Sequence, residues 1–132
     1  MTCRILVVEE HPAFCKITLQ LLRKRGGHEV TAVGTALTGR RVLLEARQFE
    51  PDIILIALSG PDLSGLALIL HVRRVLPKVK IIAMTLLDVE TYLDVVLAAG
   101  ADDLISKATF TQELMPAIWR QTAPSAGATL EL

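Results

Sequence analysis

Two adjacent carboxylates, Glu9 and Glu10, one lysine, Lys107, and two hydroxyls, Thr85 and Ser59, are the side chains of this sequence best placed to do chemistry together. Each stands at or just beyond the end of a short apolar run: ILVV leads into the acids, IILIA into Leu58 and Ser59, KIIAM into Thr85, and DLIS into Lys107. Paired carboxylates supply the hard oxygen ligands that magnesium takes, and a lysine supplies a point charge for phosphate oxygens. The same three charges can also neutralise one another as an ion pair with no chemistry, and that is the reading favoured here. Lys107 then holds the acids neutral and Thr85 bonds a loop. Ser59 has no evident base aimed at it, and His11 and Cys15 are no better as nucleophiles. Hydrolysis by the acid pair would therefore lack both a nucleophile and a held metal.

The elements that bring these residues together can be read from hydrophobic period. Cys3–Val8, Asp52–Ala57 and Val79–Met84 are short, continuously apolar runs, as expected of strands buried on both faces. His28–Val33 is more polar and suits an edge strand, and Asp103–Ser106 is a short last one. Between them lie helical patterns. Pro12 opens the first, with Phe14, Ile17, Leu21 and Leu22 on one face and Gly26 and Gly27 at its end. The second runs from Ala36 to Phe49, turning Val42, Leu43, Ala46 and Phe49 inward before Pro51. Ser64 caps the third, whose stripe is Leu66, Ile69, Leu70 and Leu76, closed by Pro77. Asp88 caps the fourth, which stops at Gly100, and Thr109 or Thr111 opens the fifth. In the fifth, Leu114 and Ile118 face the core, while Met115 and Trp119 are expected on a second, exposed edge, with Pro116 bending the axis. Five βα units in a row imply a parallel sheet with helices on both faces, because right-handed crossovers place them there. A ligand site then belongs beyond the carboxyl ends of the strands, where the acids, hydroxyls and lysine stand.

Composition narrows the function classes. The 132 residues fit one domain; residues 1–121 are read as that domain, and 122–132, where the period is lost, as a linker or tail. Lys plus Arg and Asp plus Glu both number 14, so nothing argues for nucleic acid or an anionic membrane as a direct partner of this domain. Cys3 and Cys15 read as buried reduced thiols, and with no signal-peptide pattern or spanning apolar run the expected compartment is the cytoplasm. GTALTGRR after the second strand has Arg40 and Arg41 where a phosphate-binding loop needs lysine and a hydroxyl, so it is read as an ordinary helix start. His71, Arg73, Arg74, Lys78 and Lys80 read as a solvated basic face.

ILVVEEHPAF, PDIILIALSGPDLSG, KIIAMT, AAGADDLISK and TQELMPAI, in that order, make the chain resemble the receiver domains of bacterial two-component response regulators, most closely those of the NarL/LuxR family. The resemblance runs from Cys3 to about Arg120. It implies a three-layer, doubly wound (βα)5 flavodoxin-like α/β fold with sheet order 2-1-3-4-5. It also implies phosphorelay signalling: an aspartate takes a phosphoryl group, magnesium held by carboxylates and a backbone carbonyl neutralises its oxygens, and a hydroxyl and a lysine take the rest. By position, Glu9 and Glu10 stand at the acidic pair, Ala57 at the phosphoacceptor, Ser59 at the carbonyl ligand, Thr85 at the switch hydroxyl, Leu104 at the switch aromatic and Lys107 at the phosphate lysine.

Ala57 has neither charge nor lone pair, so the usual acyl phosphate cannot form. Three carboxylates and a lysine would leave a local charge of about minus two for a divalent cation to balance; here it is about minus one. Glu9 and Glu10 are one methylene longer than the usual aspartates, and Leu86 is bulky where receivers keep a small residue. No resident cofactor is expected, and any magnesium site at Glu9 and Glu10 should be weak. The expected function is that of an atypical receiver, a pseudo-receiver rather than an enzyme, acting through protein contacts or a homodimer formed by the fourth helix, fifth strand and fifth helix. Tyr92, Met115 and Trp119 are the residues looked to on that face. DNA would be reached only through a separate carboxyl-terminal domain of a transcription regulator, and no membrane contact is expected. The alternative is an ordinary phosphate-accepting receiver whose aspartate was replaced by Ala57.

Overall fold

Runs rich in Val and Ile fold as strands here because helices cover them on both sides, leaving no polar face for a period of two to mark. The computed structural model describes residues 3–33, 39–58 and 65–122. Its elements are β1 (Arg4–Val8), α1 (Pro12–Gly26), β2 (Glu29–Val33), α2 (Gly39–Phe49), β3 (Ile53–Ala57), α3 (Leu66–Val75), β4 (Lys80–Thr85), α4 (Val89–Ala99), β5 (Asp103–Ser106) and α5 (Phe110–Thr122), with a 3-10 turn at Lys107–Thr109 before α5. All strand pairs are parallel and the order is β2-β1-β3-β4-β5. This is the expected doubly wound α/β architecture. None of its helices, among the described residues, is long and apolar enough to cross a membrane.

Alternate residues of each strand feed two cores. Leu6, Val8, Ile54, Ile56, Ile81, Ala83 and Leu104 pack under α2, α3 and α4, whereas Ile5, Val7, Ile53, Leu55, Ala57, Ile82, Met84 and Ile105 pack under α1 and α5. Helix ends follow their signals. Gly27 adopts the left-handed conformation (φ 62°) that ends α1, and Asp88 caps α4 by accepting the Thr91 N–H at 3.0 Å. Pro116 lies within α5, which continues past it to Thr122. The expected cap Ser64 and helix start Ala36 lie outside the described residues.

Three apolar expectations are corrected. Ile17 and Leu70, expected in buried stripes, are about half exposed, while Thr18 and Val72 take the inward positions of α1 and α3. Thr18 tolerates burial because its hydroxyl donates to the Phe14 carbonyl at 2.9 Å. Met115, expected on an exposed edge, is buried among the α1 and α5 side chains. Helix α1 packs close beside α5, and Met115 sits on the flank that faces it.

Arg73 is the other departure. It does not belong to a solvated basic face. Its guanidinium donates to Gly100 O at 2.8 Å, Pro77 O at 2.9 Å, Val79 O at 2.7 Å and Asp102 Oδ2 at 2.7 Å. Asp102 Oδ2 also accepts the Ile81 N–H at 2.8 Å. One planar fork thus ties the end of α3 to the end of α4 and to the start of β4, which fixes the edge of the sheet that carries β5.

Candidate functional site

The carboxyl ends of β1, β3, β4 and β5 deliver Glu9, Ala57, Thr85 and Lys107 to one end of the sheet, as the parallel order requires. Ser59 lies outside the described residues. Glu9 and Lys107, 98 residues apart, meet directly: Lys107 Nζ stands 3.1 Å from Glu9 Oε1 and 3.0 Å from Oε2. Both side chains are almost wholly buried, at 6% and 0% exposure for lysine and glutamate. Oε1 also accepts the His11 N–H at 3.2 Å, whereas Oε2 has only the ammonium charge beside it and no directed hydrogen bond. Of the ion pairing expected among Glu9, Glu10 and Lys107, the structure holds the Glu9–Lys107 pair.

Two aromatic rings complete the enclosure. Lys107 Nζ lies 4.5 Å from the Phe14 ring centroid, a cation–π contact, and Phe14 in turn packs on Phe110 with centroids 4.6 Å apart. Sequence reading assigned Phe14 only to a core face. Its spacing from Glu9 was visible, but nothing in the sequence says that a lysine from the far end of the chain arrives over its ring. Thr85 is buried, and its Oγ1 accepts the Leu87 N–H at 3.0 Å, so the hydroxyl oxygen is engaged in the β4–α4 loop. Leu86 stands 74% exposed in that loop instead of packing down over Thr85. Glu10 is exposed beside its buried neighbour. Ala57, 6% exposed, contributes a methyl group to the α1–α5 core.

These residues do not fit a magnesium shell. One carboxylate is already committed to Lys107 and a backbone amide, and the β3 position offers a methyl group, leaving Glu10 as the one acid of the three positions that faces solvent. The thiols are equally unsuited to nucleophilic work. Burial, and then the charge of Glu9, push Cys15 up from the ordinary thiol value; burial, then Asp52, do the same for Cys3.

Away from this end, Leu104 is buried among the α4-side core residues, Tyr92 is half-buried against the same core, and Trp119 is 61% exposed on α5. Of the three residues expected on the α4–β5–α5 face, Trp119 alone is freely accessible. A groove of about 560 Å³ lies at the opposite, amino-terminal edge of the sheet between the ends of α2 and α3.

Residues 5–119 match the family model of the response regulator receiver domain. This chain belongs to that family. It is 30% identical over 115 residues to the response regulator GacA of Pseudomonas protegens, a match that takes in 87% of this chain and 53% of that protein. It is 28% identical over 104 residues to the chemotaxis protein CheY of Thermotoga maritima, covering 79% of this chain and 84% of CheY. Among solved structures, a LuxR-family two-component response regulator from Aurantimonas sp. SI85-9A1 superposes with a TM-score of 0.79 at 25% identity, over 91% of this chain and 84% of that one. The chain thus spans about half the length of GacA and most of the length of CheY. It is a receiver of two-component signalling, and receivers are signalling domains.

Proposed function

We propose that this receiver does not accept phosphate at the usual position and signals instead from one fixed conformation, through protein contacts or a homodimer. The observation that carries this reading is Ala57 at the end of β3, at the same end of the sheet as a Lys107 already buried against Glu9 and Phe14. A phosphoryl donor arriving there meets no nucleophile. The cation that would receive the phosphate oxygens is neutralised and screened by an aromatic ring. Magnesium binding at Glu9 and Glu10 is correspondingly weak, since moving Lys107 off Glu9 would strand a buried carboxylate. No turnover is expected of the domain.

The partner face is that of α4, β5 and α5, with Trp119 as its most exposed large apolar side chain and Tyr92 at its edge. Met115, buried against α1, does not belong to this face. The chain spans about half the length of GacA, and we assign any DNA contact to a separate carboxyl-terminal domain of a cytoplasmic transcription regulator. We assign residues 1–121 to the receiver and 122–132 to a linker or tail.

Restoring the acceptor tests the proposal. The Ala57→Asp variant is incubated with acetyl phosphate and magnesium, and phosphate uptake is followed by intact mass. Little or no uptake is expected, because the Glu9–Lys107–Phe14 enclosure remains. Rapid uptake would show a site intact but for one residue, and would establish the alternative, an ordinary receiver whose aspartate has been replaced.

A further inference from the structure

His28, in the turn between α1 and β2, is buried yet has no role in the site above. Its Nδ1 accepts the Cys3 N–H at 3.1 Å, which requires an unprotonated Nδ1 and places the ring proton on Nε2. Nε2 is buried with no hydrogen-bond partner. The ring lies flat against the end of α1: a Cβ added at Gly26 would come within 2.3 Å of Cδ2 and Nε2 and within 3.1 Å of the Met115 methyl group of α5. One imidazole is therefore bonded to the start of β1 and packed against the last turn of α1, where Gly26 also faces the Met115 methyl group of α5.

Protonation breaks this arrangement by geometry alone. A proton on Nδ1 faces the Cys3 N–H donor against donor, and the charge created has no acceptor at Nε2. The nearby anions are already engaged by Arg4: Asp52 Oδ2 accepts its backbone N–H at 2.9 Å and Glu29 faces its guanidinium. On β1, the Cys3 thiol is 3.5 Å from Nδ1 and kept neutral by burial, and Arg4 is engaged by Glu29 of β2 at 3.5 Å. The last turn of α1 carries Arg23, Lys24 and Arg25, all exposed and positive. On α5 the neighbour is the uncharged Met115, and Arg120 is taken by Asp103. Burial, followed by the amino-terminal charge of the chain, holds the ring below the ordinary histidine range.

We propose that His28 is a proton-operated latch: neutral, it clamps β1, the end of α1 and α5 together; protonated, it leaves its slot and releases the Met115 flank of α5. The folded state binds this proton less tightly than the unfolded chain. The latch is therefore closed above the ordinary histidine value of about 6.5 and opens as pH falls through the lower value of the folded protein. Because α5 is the element that leads out of the receiver, acid loosens the part of the fold that bears Trp119.

The test follows the histidine ring signals by NMR on the whole chain as pH is lowered, together with amide exchange at Cys3 and the emission of Trp119, the only tryptophan. His28 should titrate below the ordinary range, with the Cys3 protection factor, corrected for the slower intrinsic exchange at low pH, falling by up to about tenfold per pH unit over that interval and Trp119 responding in step. His28→Gln, which keeps an acceptor but does not titrate, should abolish the response; a joint His11→Gln and His71→Gln variant should keep it. Gly26→Ala, which forces the ring out of its slot, should show the acid behaviour at neutral pH, and it decides the matter even if His28→Gln folds poorly. Titration of His28 in the ordinary range, or an unchanged acid response in His28→Gln, would overturn the latch.

Discussion

Replacing Lys107 by methionine keeps a stem of similar length but removes the charge opposite Glu9. At 3.0 Å, with both side chains nearly inaccessible, the pair is worth about 5–6 kcal/mol of attraction at an effective dielectric of roughly 20, with little solvent screening to discount. Part of that attraction offsets the desolvation of the two ions, so the measurable loss is the cost of an orphaned buried carboxylate, about 3–5 kcal/mol. For a domain of this size that corresponds to a fall in Tm of roughly 10–20 °C. Urea denaturation of wild type, Lys107→Met, Glu9→Gln and the double variant gives the coupling directly. The double variant should recover much of the loss, because an amide beside a thioether stem leaves no unpaired charge. A cost below about 1 kcal/mol for Lys107→Met, with additive effects in the double variant, would refute the reasoning: Glu9 would then be solvated and the site open.

Arg73→Ala should cost about 2–3 kcal/mol in denaturation, discounted because the side chains of Arg73 and Asp102 are about a quarter exposed, and Arg73→Lys should recover only a fraction since it cannot reproduce the fork. Gly100→Ala should destabilise by about 1–3 kcal/mol, because φ is +122° and the new Cβ would lie 2.8 Å from Arg73 Cβ. Cys3 and Cys15, both shifted upward, should react slowly with iodoacetamide at neutral pH in the native state and rapidly in urea; raised values also mean that stability is full below the unfolded thiol value and is lost as pH rises through the folded one. Trp119→Ala should change stability by less than about 0.5 kcal/mol yet weaken any self-association seen by sedimentation, and an unaltered association constant would remove α5 from the partner face.

The sheet was legible because β1, β3 and β4 are nearly unbroken apolar runs, and β5 was read at its observed limits. The other strands shift by a residue at one or both ends, as hydrogen bonding and not hydrophobicity sets those limits. The convergence of Glu9, Ala57, Thr85 and Lys107 was also legible, since a parallel βα order dictates which residues share a strand end. What escaped were choices made by neighbouring elements. Met115 is buried because α1 packs against its flank of α5, Ile17 and Leu70 are exposed because a 15- or 10-residue helix on a flat sheet buries a narrower stripe than its apolar content allows, and Arg73 is tied down by three carbonyls from two separate segments. None of these is a property of the local pattern.

The most direct measurement of the central claim is the intact mass of the unaltered protein after incubation with a phosphodonor histidine kinase, or with acetyl phosphate and magnesium, read before and after hydroxylamine, which cleaves acyl phosphates. The account predicts no adduct, because β3 ends in a methyl group and the lysine at that end of the sheet is already held by Glu9. A stable phosphoryl adduct, mapped to any side chain around that strand end, would contradict it.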